Sequence, residues 1–130
     1  MTPPWLSEAW FALVRPELDG LEGPPSLTGT VRLDVTGGAG GDVAGHVEFA
    51  GGHLVDAGPG PSDRADAVLS VSEEDAEAIL AGRLDPSVAF MRGRLKVSGA
   101  MGPVIDLLAL SATDGARARR ARVAGLSGLV

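Results

Sequence analysis

The chain has 130 residues, no cysteine and a formal net charge of −6. Its length is that of one domain, and the missing cysteines exclude disulfide bonds and thiolate metal sites and fit a reducing compartment. An acidic chain is also poorly suited to nucleic acid, whose binding depends on neutralising phosphates. The first residues lack the basic cluster of a secretory signal, and no apolar stretch approaches the roughly 18 residues of a membrane span. We therefore expect a cytoplasmic domain that binds no nucleic acid.

The first predicted element is a helix over residues 6–14, where apolar side chains recur at helical spacing and Pro16 ends the regular segment. Two segments with the alternation of half-buried strands follow, at residues 31–36 and 43–49. Their inward side chains include Leu33, Val35, Val47 and Phe49.

Two further strands complete the first half of the chain. Gly51 and Gly52 predict a tight hairpin turn into a third strand at residues 53–57, and a fourth strand is predicted at residues 67–71. Because short glycine-containing loops join these segments, we expect the four strands to form an antiparallel meander.

Helical signals dominate the second half. Ser72 is a predicted N-cap of a helix that ends at Gly82, and Asp85 caps a second, shorter helix. A fifth strand is predicted at residues 94–98 and a last helix at residues 103–113. This order of elements predicts an α+β fold, in which helices cover a largely antiparallel sheet of about five strands.

We expect one domain over residues 1–114, followed by a basic, flexible tail over residues 115–130. The tail carries four arginines, whereas the rest of the chain holds all 17 acidic residues. Two interpretations of the tail stay open: a solvated segment, or a transient contact with an anionic membrane surface.

Residues that could perform catalysis are scarce. His46 and His53 are the only histidines, there is no tyrosine, and the predicted register keeps the two histidines apart. A closed metal site usually needs four ligands. We therefore predict no catalytic residue, no metal and no cofactor.

The last predicted helix is apolar around nearly its whole circumference, and Asp106 is its only charge. A surface helix needs an apolar arc of only about 100°. Three explanations are open: the helix is buried on all sides, it docks on a partner, or one of its faces rests on the sheet while another lines an apolar cavity.

The segment from residue 66 to 110, "DAVLSVSEEDAEAILAGRLDPSVAFMRGRLKVSGAMGPVIDLLAL", resembles the sterol carrier protein type 2 (sterol-transfer) domain family. The similarity rests on Asp66 before a short strand, an acidic helix start, Asp85–Pro86, Phe90, and the glycines before the last helix. Pro103 departs from the family pattern.

This resemblance implies an apolar tunnel between sheet and helices that holds a fatty acid, acyl-CoA, sterol or similar lipid. The candidate lining residues within the matched motif are Phe90, Met91, Leu95, Val97, Met101, Ile105 and Leu108. Strand alternation adds Leu33, Val35, Val47 and Phe49.

The function expected from these observations is that of an intracellular lipid carrier without enzymatic activity. Two alternatives remain: an accessory or oligomerisation module whose tunnel is closed, and a cavity enzyme that cyclises or isomerises an apolar substrate. The sequence leaves the oligomeric state open.

Overall fold

The computed structural model describes residues 2–129, which form a five-stranded sheet and five helices. The elements in chain order are α1 (Glu8–Asp19), β1 (Gly29–Gly38), β2 (Gly41–Ala50), β3 (His53–Pro59), β4 (Ala67–Ser72), α2 (Glu73–Leu80), α3 (Pro86–Met91), β5 (Leu95–Gly99), α4 (Met101–Ser111) and α5 (Asp114–Leu126). The α+β prediction is confirmed.

The sheet is mixed, with the strand order β3-β2-β1-β4-β5. Three of its pairings are antiparallel, but β4 runs parallel to β1. The prediction of a four-stranded meander is therefore wrong for β4. Asp66 holds the start of β4 beside β1, because its backbone N–H donates to the carbonyl of Thr30 and its Oδ2 accepts from the N–H of Thr30, both at 2.8 Å.

Local signals in the sequence match the structure closely. The side chain of Ser72 accepts a hydrogen bond from the N–H of Asp75 at 3.1 Å, and Asp85 accepts from two N–H groups at the start of α3. Ala50 pairs with His53 across the hairpin turn, as expected, and an irregularity at Glu48–Phe49 then shifts the register of β2 against β3. These features depend on neighbours in the chain, so the sequence predicts them well.

Two helices differ from their predicted bounds. Helix α1 continues through Pro16 to Asp19. Proline has no backbone N–H, so the carbonyl of Ala12 receives no helical hydrogen bond from Pro16. Both residues lie on the exposed side of the helix, where the carbonyl of Ala12 can accept from water instead. Helix α4 begins at Met101, and Pro103 lies in its first turn, where no helical N–H partner is lost.

The C-terminal segment is folded rather than a flexible tail. Thr113 caps α5 by accepting from the N–H of Ala116 at 3.2 Å. Helix α5 then packs on α1 through buried Val123, and the indole N–H of Trp10 donates to Oγ of Ser127 at 3.0 Å. None of the helices within residues 2–129 is long and apolar enough to cross a membrane.

Candidate functional site

An apolar pocket of about 230 Å³ lies between helices α1, α2, α4 and α5. Its walls are the side chains of Trp10, Leu18, Leu21, Leu80, Leu107, Leu110, Ala116 and Val123. We call this space the helix pocket. It has the chemistry of a hydrocarbon-binding site, although ligand pockets commonly span a larger range of about 300–1,000 Å³.

The predicted apolar helix at residues 103–113 corresponds to α4, and its surroundings explain why it is so apolar. Val104 and Leu110 are buried, Leu107 and Leu110 face the helix pocket, and Leu108 packs in the cluster formed by α2, α3 and β5. The helix thus serves two cores at once, which requires an apolar arc wider than that of a surface helix. Because Met101 and Ile105 are exposed, the helix is not buried on all sides, and the structure supports the explanation in which one face packs in the core while another lines a cavity.

The rim of the helix pocket is charged. Glu17, Arg119 and Arg120 line it together with Ser111. Arg119 and Arg120 occupy positions on the inward stripe of α5, where their aliphatic stems can cover apolar surface while their guanidinium groups donate to backbone carbonyls at the rim. An apolar cavity with a cationic rim suits a molecule that has one oily and one polar end.

The predicted lining residues lie mainly in the core below the helices. Of the eleven candidates, none is among the residues around the helix pocket. Leu33 and Val35 belong to the same cluster as Trp10, whereas Val47 and Phe49 pack with Leu110. Phe90, Leu95 and Leu108 form part of a third cluster, and Val97 is half-buried on β5.

Three other candidates do not face the interior. Met91, Met101 and Ile105 have exposed fractions of 82%, 41% and 57%, and this placement corrects the expectation of an inward orientation. Ile105 follows buried Val104, so it points about 100° away around α4. Met91 ends the short helix α3, whose buried residues are Pro86 and Ala89.

The contribution of α5 to the pocket was not expected from the sequence. Ala116 and Val123 recur at helical spacing, and Thr113–Asp114 is a helix-start signal. The four arginines between Ala116 and Val123 obscured the helical spacing of these apolar residues, because two of the arginines lie on the same inward face. The small apolar fraction of this helix packs against α1 and completes the pocket.

A larger cleft of about 420 Å³ lies near the N-terminus of the chain. It is lined by Trp5, Val35 and Val43, but also by Glu73 and Glu77. Burying two carboxylates beside a hydrocarbon chain would be unfavourable. The helix pocket is therefore the better candidate for an apolar ligand.

Two polar side chains that could suggest chemistry, His46 on the sheet and Asp75 on α2, have structural partners. Nε2 of His46 lies 3.5 Å from Oδ2 of Asp56, and its Nδ1 lies 3.0 Å from the carbonyl of Gly60. Buried Asp75 pairs with Arg94, and this hydrogen bond together with the carboxylate charge raises the pKa of Arg94. Across residues 2–129, no group of three or more histidine, aspartate or glutamate side chains is placed to hold a metal ion.

Comparison with known proteins decides the family. The sequence model of the SCP-2 sterol transfer family matches residues 14–111, about three quarters of the chain. The chain belongs to this family. The match includes the sheet and helices α2 to α4, whereas α5 lies beyond it.

Solved structures of the family share the fold. A crystal structure of sterol carrier protein 2 superposes with a TM-score of 0.69 at 26% identity, covering 93% of this chain and 97% of that protein. A conserved hypothetical protein of Thermus thermophilus, described as possibly sterol carrier protein, gives 0.67 at 22% identity, covering 98% of this chain and 93% of the other. The palmitated sterol carrier protein 2-like 2 of Aedes aegypti gives 0.62 at 20% identity, covering 78% and 93%.

Curated relatives match over a shorter segment. Hydroxysteroid dehydrogenase-like protein 2 of Bos taurus is 47% identical over 47 residues, which are 36% of this chain and 11% of that protein. The protein of the same name from Homo sapiens is 45% identical over a segment of equal length, 36% of this chain and 11% of the human protein. The chain thus matches about a ninth of the length of these relatives. Family membership supports lipid binding or transfer in general terms.

Proposed function

We propose that this protein is a cytoplasmic lipid carrier that holds the hydrocarbon chain of one amphiphile in the helix pocket. The observation that carries the proposal is the apolar pocket itself, walled by leucine, tryptophan, alanine and valine side chains from four helices. The family membership supports it, and the absence of cysteine fits the compartment.

The size of the pocket sets the length of chain it accepts without rearrangement. A cavity of about 150 Å³ holds the six carbons of benzene, so by proportion about 230 Å³ holds roughly nine carbons. At about 0.8 kcal/mol per methylene, nine carbons contribute about 7 kcal/mol before association costs of at least about 4 kcal/mol. The tail alone therefore supports binding in the millimolar range.

A longer lipid requires the helices to move apart from the sheet. Directly below the pocket-lining side chains lie Leu33, Val47 and Phe49, which share clusters with Val123, Leu107 and Leu110. These strand residues are the surface that a sixteen-carbon chain would reach next. They thus remain part of the proposed site for long ligands.

The polar groups around the pocket suit a protein that carries a lipid without catalysing a reaction. Among residues 2–129, Glu17 is the only carboxylate that lines it, and both oxygens of that carboxylate accept from Nε of Arg122, at 2.8 and 2.6 Å. A carboxylate whose two oxygens are both engaged in this way is poorly placed to take a proton from a bound substrate. We therefore favour a carrier over a cyclase or isomerase.

Calorimetric titration of the full chain with decanoate, combined with native mass spectrometry of gently purified protein, tests the proposal. We expect saturable binding of one decanoate per chain and a bound acyl species in the purified sample. A chain that binds no amphiphile in either measurement would contradict the carrier function. A transient contact with anionic membranes, also proposed, should appear as co-sedimentation with phosphatidylserine vesicles at low salt.

The alternative function, an accessory module that docks on a partner, draws support from one observation. Met91, Met101 and Ile105 leave apolar surface exposed on α3 and α4. Size-exclusion chromatography of the wild type and of Ile105→Asp separates the two functions, since docking between copies predicts an oligomer that this substitution dissociates. A monomeric wild type would count against self-association.

A further inference from the structure

The four arginines of α5 differ in their partners. Nε of Arg122 donates to both carboxylate oxygens of Glu17. Nη1 of Arg119 lies 3.8 Å from Oε1 of Glu17 and donates to the backbone carbonyl of Glu17 at 3.5 Å. The guanidinium of Arg119 also packs over Gly20, at the C-terminal end of α1, where a positive charge is favourable. These two arginines therefore serve the contact between α1 and α5.

Arg120 lies at the boundary between two cavities. It lines the helix pocket and also a neighbouring cleft of about 310 Å³, which we call the arginine cleft, and Leu80 is shared in the same way. Its Nη1 donates to the carbonyl of Ser111 at 3.2 Å. Among the described residues, no carboxylate oxygen lies within 4 Å of its guanidinium, in contrast to Arg119 and Arg122.

The arginine cleft carries an excess of positive charge. Arg117 and Arg120 line it together with one carboxylate, that of Asp85. Oδ1 of Asp85 is already engaged at the start of α3, where it accepts from the N–H groups of Ser87 and Val88 at 2.8 and 3.2 Å. Two arginines against one aspartate leave one positive charge beside the mouth of an apolar cavity.

The surroundings of Arg120 make an unpaired charge there unfavourable. Partial burial lowers its pKa, the charge of Asp85 raises it, and the nearby charge of Arg117 lowers it further. An arginine nevertheless stays protonated, because its ordinary pKa lies far above neutral pH. An anion bound at this point would offset both the lost hydration and the repulsion between the two arginines.

We propose that the ligand carries a compact anionic head group, a carboxylate or a phosphate, which Arg120 binds with support from Arg117 while the hydrocarbon tail occupies the helix pocket. This inference rests on the proposed carrier function and adds the class of head group. The planar guanidinium matches carboxylate and phosphate in a two-pronged geometry. The two arginines belong to α5, which lies beyond the family match over residues 14–111. The proposed preference for an anionic head group therefore depends on a segment outside that match.

A series of eight-carbon ligands tests the head group separately from the tail. Octanoate, octyl phosphate and octanol share one tail, and two-dimensional NMR titration of the full chain measures dissociation constants up to the millimolar range. We expect the wild type to bind one of the two anions about 10-fold to 100-fold more tightly than octanol, the effect of a charge-assisted hydrogen bond pair. The better anion identifies the head group, and inorganic phosphate alone should bind at least 10-fold more weakly than octyl phosphate.

Variants assign the effect to Arg120. Arg120→Met should remove the preference for the anion and leave the dissociation constant of octanol within about 2-fold, because methionine retains most of the aliphatic stem. Arg64→Met is the matched control, since Arg64 is exposed in the loop between β3 and β4 and should change neither value. Arg120→Lys keeps the charge and should retain part of the preference.

The outcomes separate this inference from the carrier function. Equal binding of octanol and both anions by the wild type, or an Arg120→Met variant that keeps the preference, would overturn the head-group assignment while the carrier function stands. Equal loss of octanol and anion binding in Arg120→Met would also overturn it, since the arginine would then only support the fold. A wild type that binds none of the eight-carbon amphiphiles would overturn both proposals.

Discussion

Filling the helix pocket from α5 should weaken lipid binding without unfolding the protein. Ala116 lines the pocket and is 7% exposed. Leucine at this position adds three carbons, which occupy about 75 Å³ at the density used above and leave room for roughly six ligand carbons. Three methylenes of decanoate then lose their burial, at about 0.8 kcal/mol each. The total is about 2.4 kcal/mol, so we expect the dissociation constant of decanoate to rise roughly 50-fold.

The assay is calorimetric titration with decanoate, with thermal unfolding followed by circular dichroism to verify that the variant is folded. Ala118→Leu is the matched control, because Ala118 belongs to the same helix and is exposed. It should bind decanoate as the wild type does. If folded Ala116→Leu bound decanoate with unchanged affinity, the helix pocket would not be the lipid site.

Three further predictions concern stability, measured as the free energy of unfolding in urea. Leu27→Ala should lower it by about 2–5 kcal/mol, because Leu27 is fully buried beside Phe49 and a cavity would remain. Gly52→Ala should destabilise the protein more than Gly51→Ala. Both glycines have positive φ, which costs alanine about 1–2 kcal/mol. Only at Gly52 would the new Cβ also meet backbone, because it would lie 2.4 Å from the carbonyl oxygen of Gly23. Ser72→Ala should cost about 0.5–2 kcal/mol, since α2 loses its capping hydrogen bond, and Ser72→Asp should restore most of it.

Each of these predictions has a result that contradicts it. An unchanged unfolding midpoint for Leu27→Ala would mean that this part of the core repacks without loss. Equal effects at Gly51 and Gly52 would show that the loop containing Gly23 shifts freely. A Ser72→Asp variant no better than Ser72→Ala would indicate that α2 begins elsewhere.

Features governed by a few consecutive residues were predictable from the sequence. Ser72 and Asp85 cap their helices as expected, and Ala50 pairs with His53 across the glycine turn. Each depends on hydrogen bonds between groups at most four residues apart, which tertiary contacts rarely override. The family resemblance over residues 66–110 was likewise present in the order of its residues, and the family match confirms it.

The tertiary structure alone decided which strands pair and where a cavity remains. The parallel contact of β4 with β1 joins residues that are 36 apart in the chain. The alternation of side chains along β4 would be the same whichever strand it paired with and in whichever direction it ran, so the sequence did not predict this pairing. The helix pocket exists because side chains of four helices fail to fill the space between them, which no single helix encodes. A polar segment such as α5 becomes part of the core only once α1 offers Trp10 and Val14 to pack against Val123. Sequence therefore set the local elements and the family, and packing set the site.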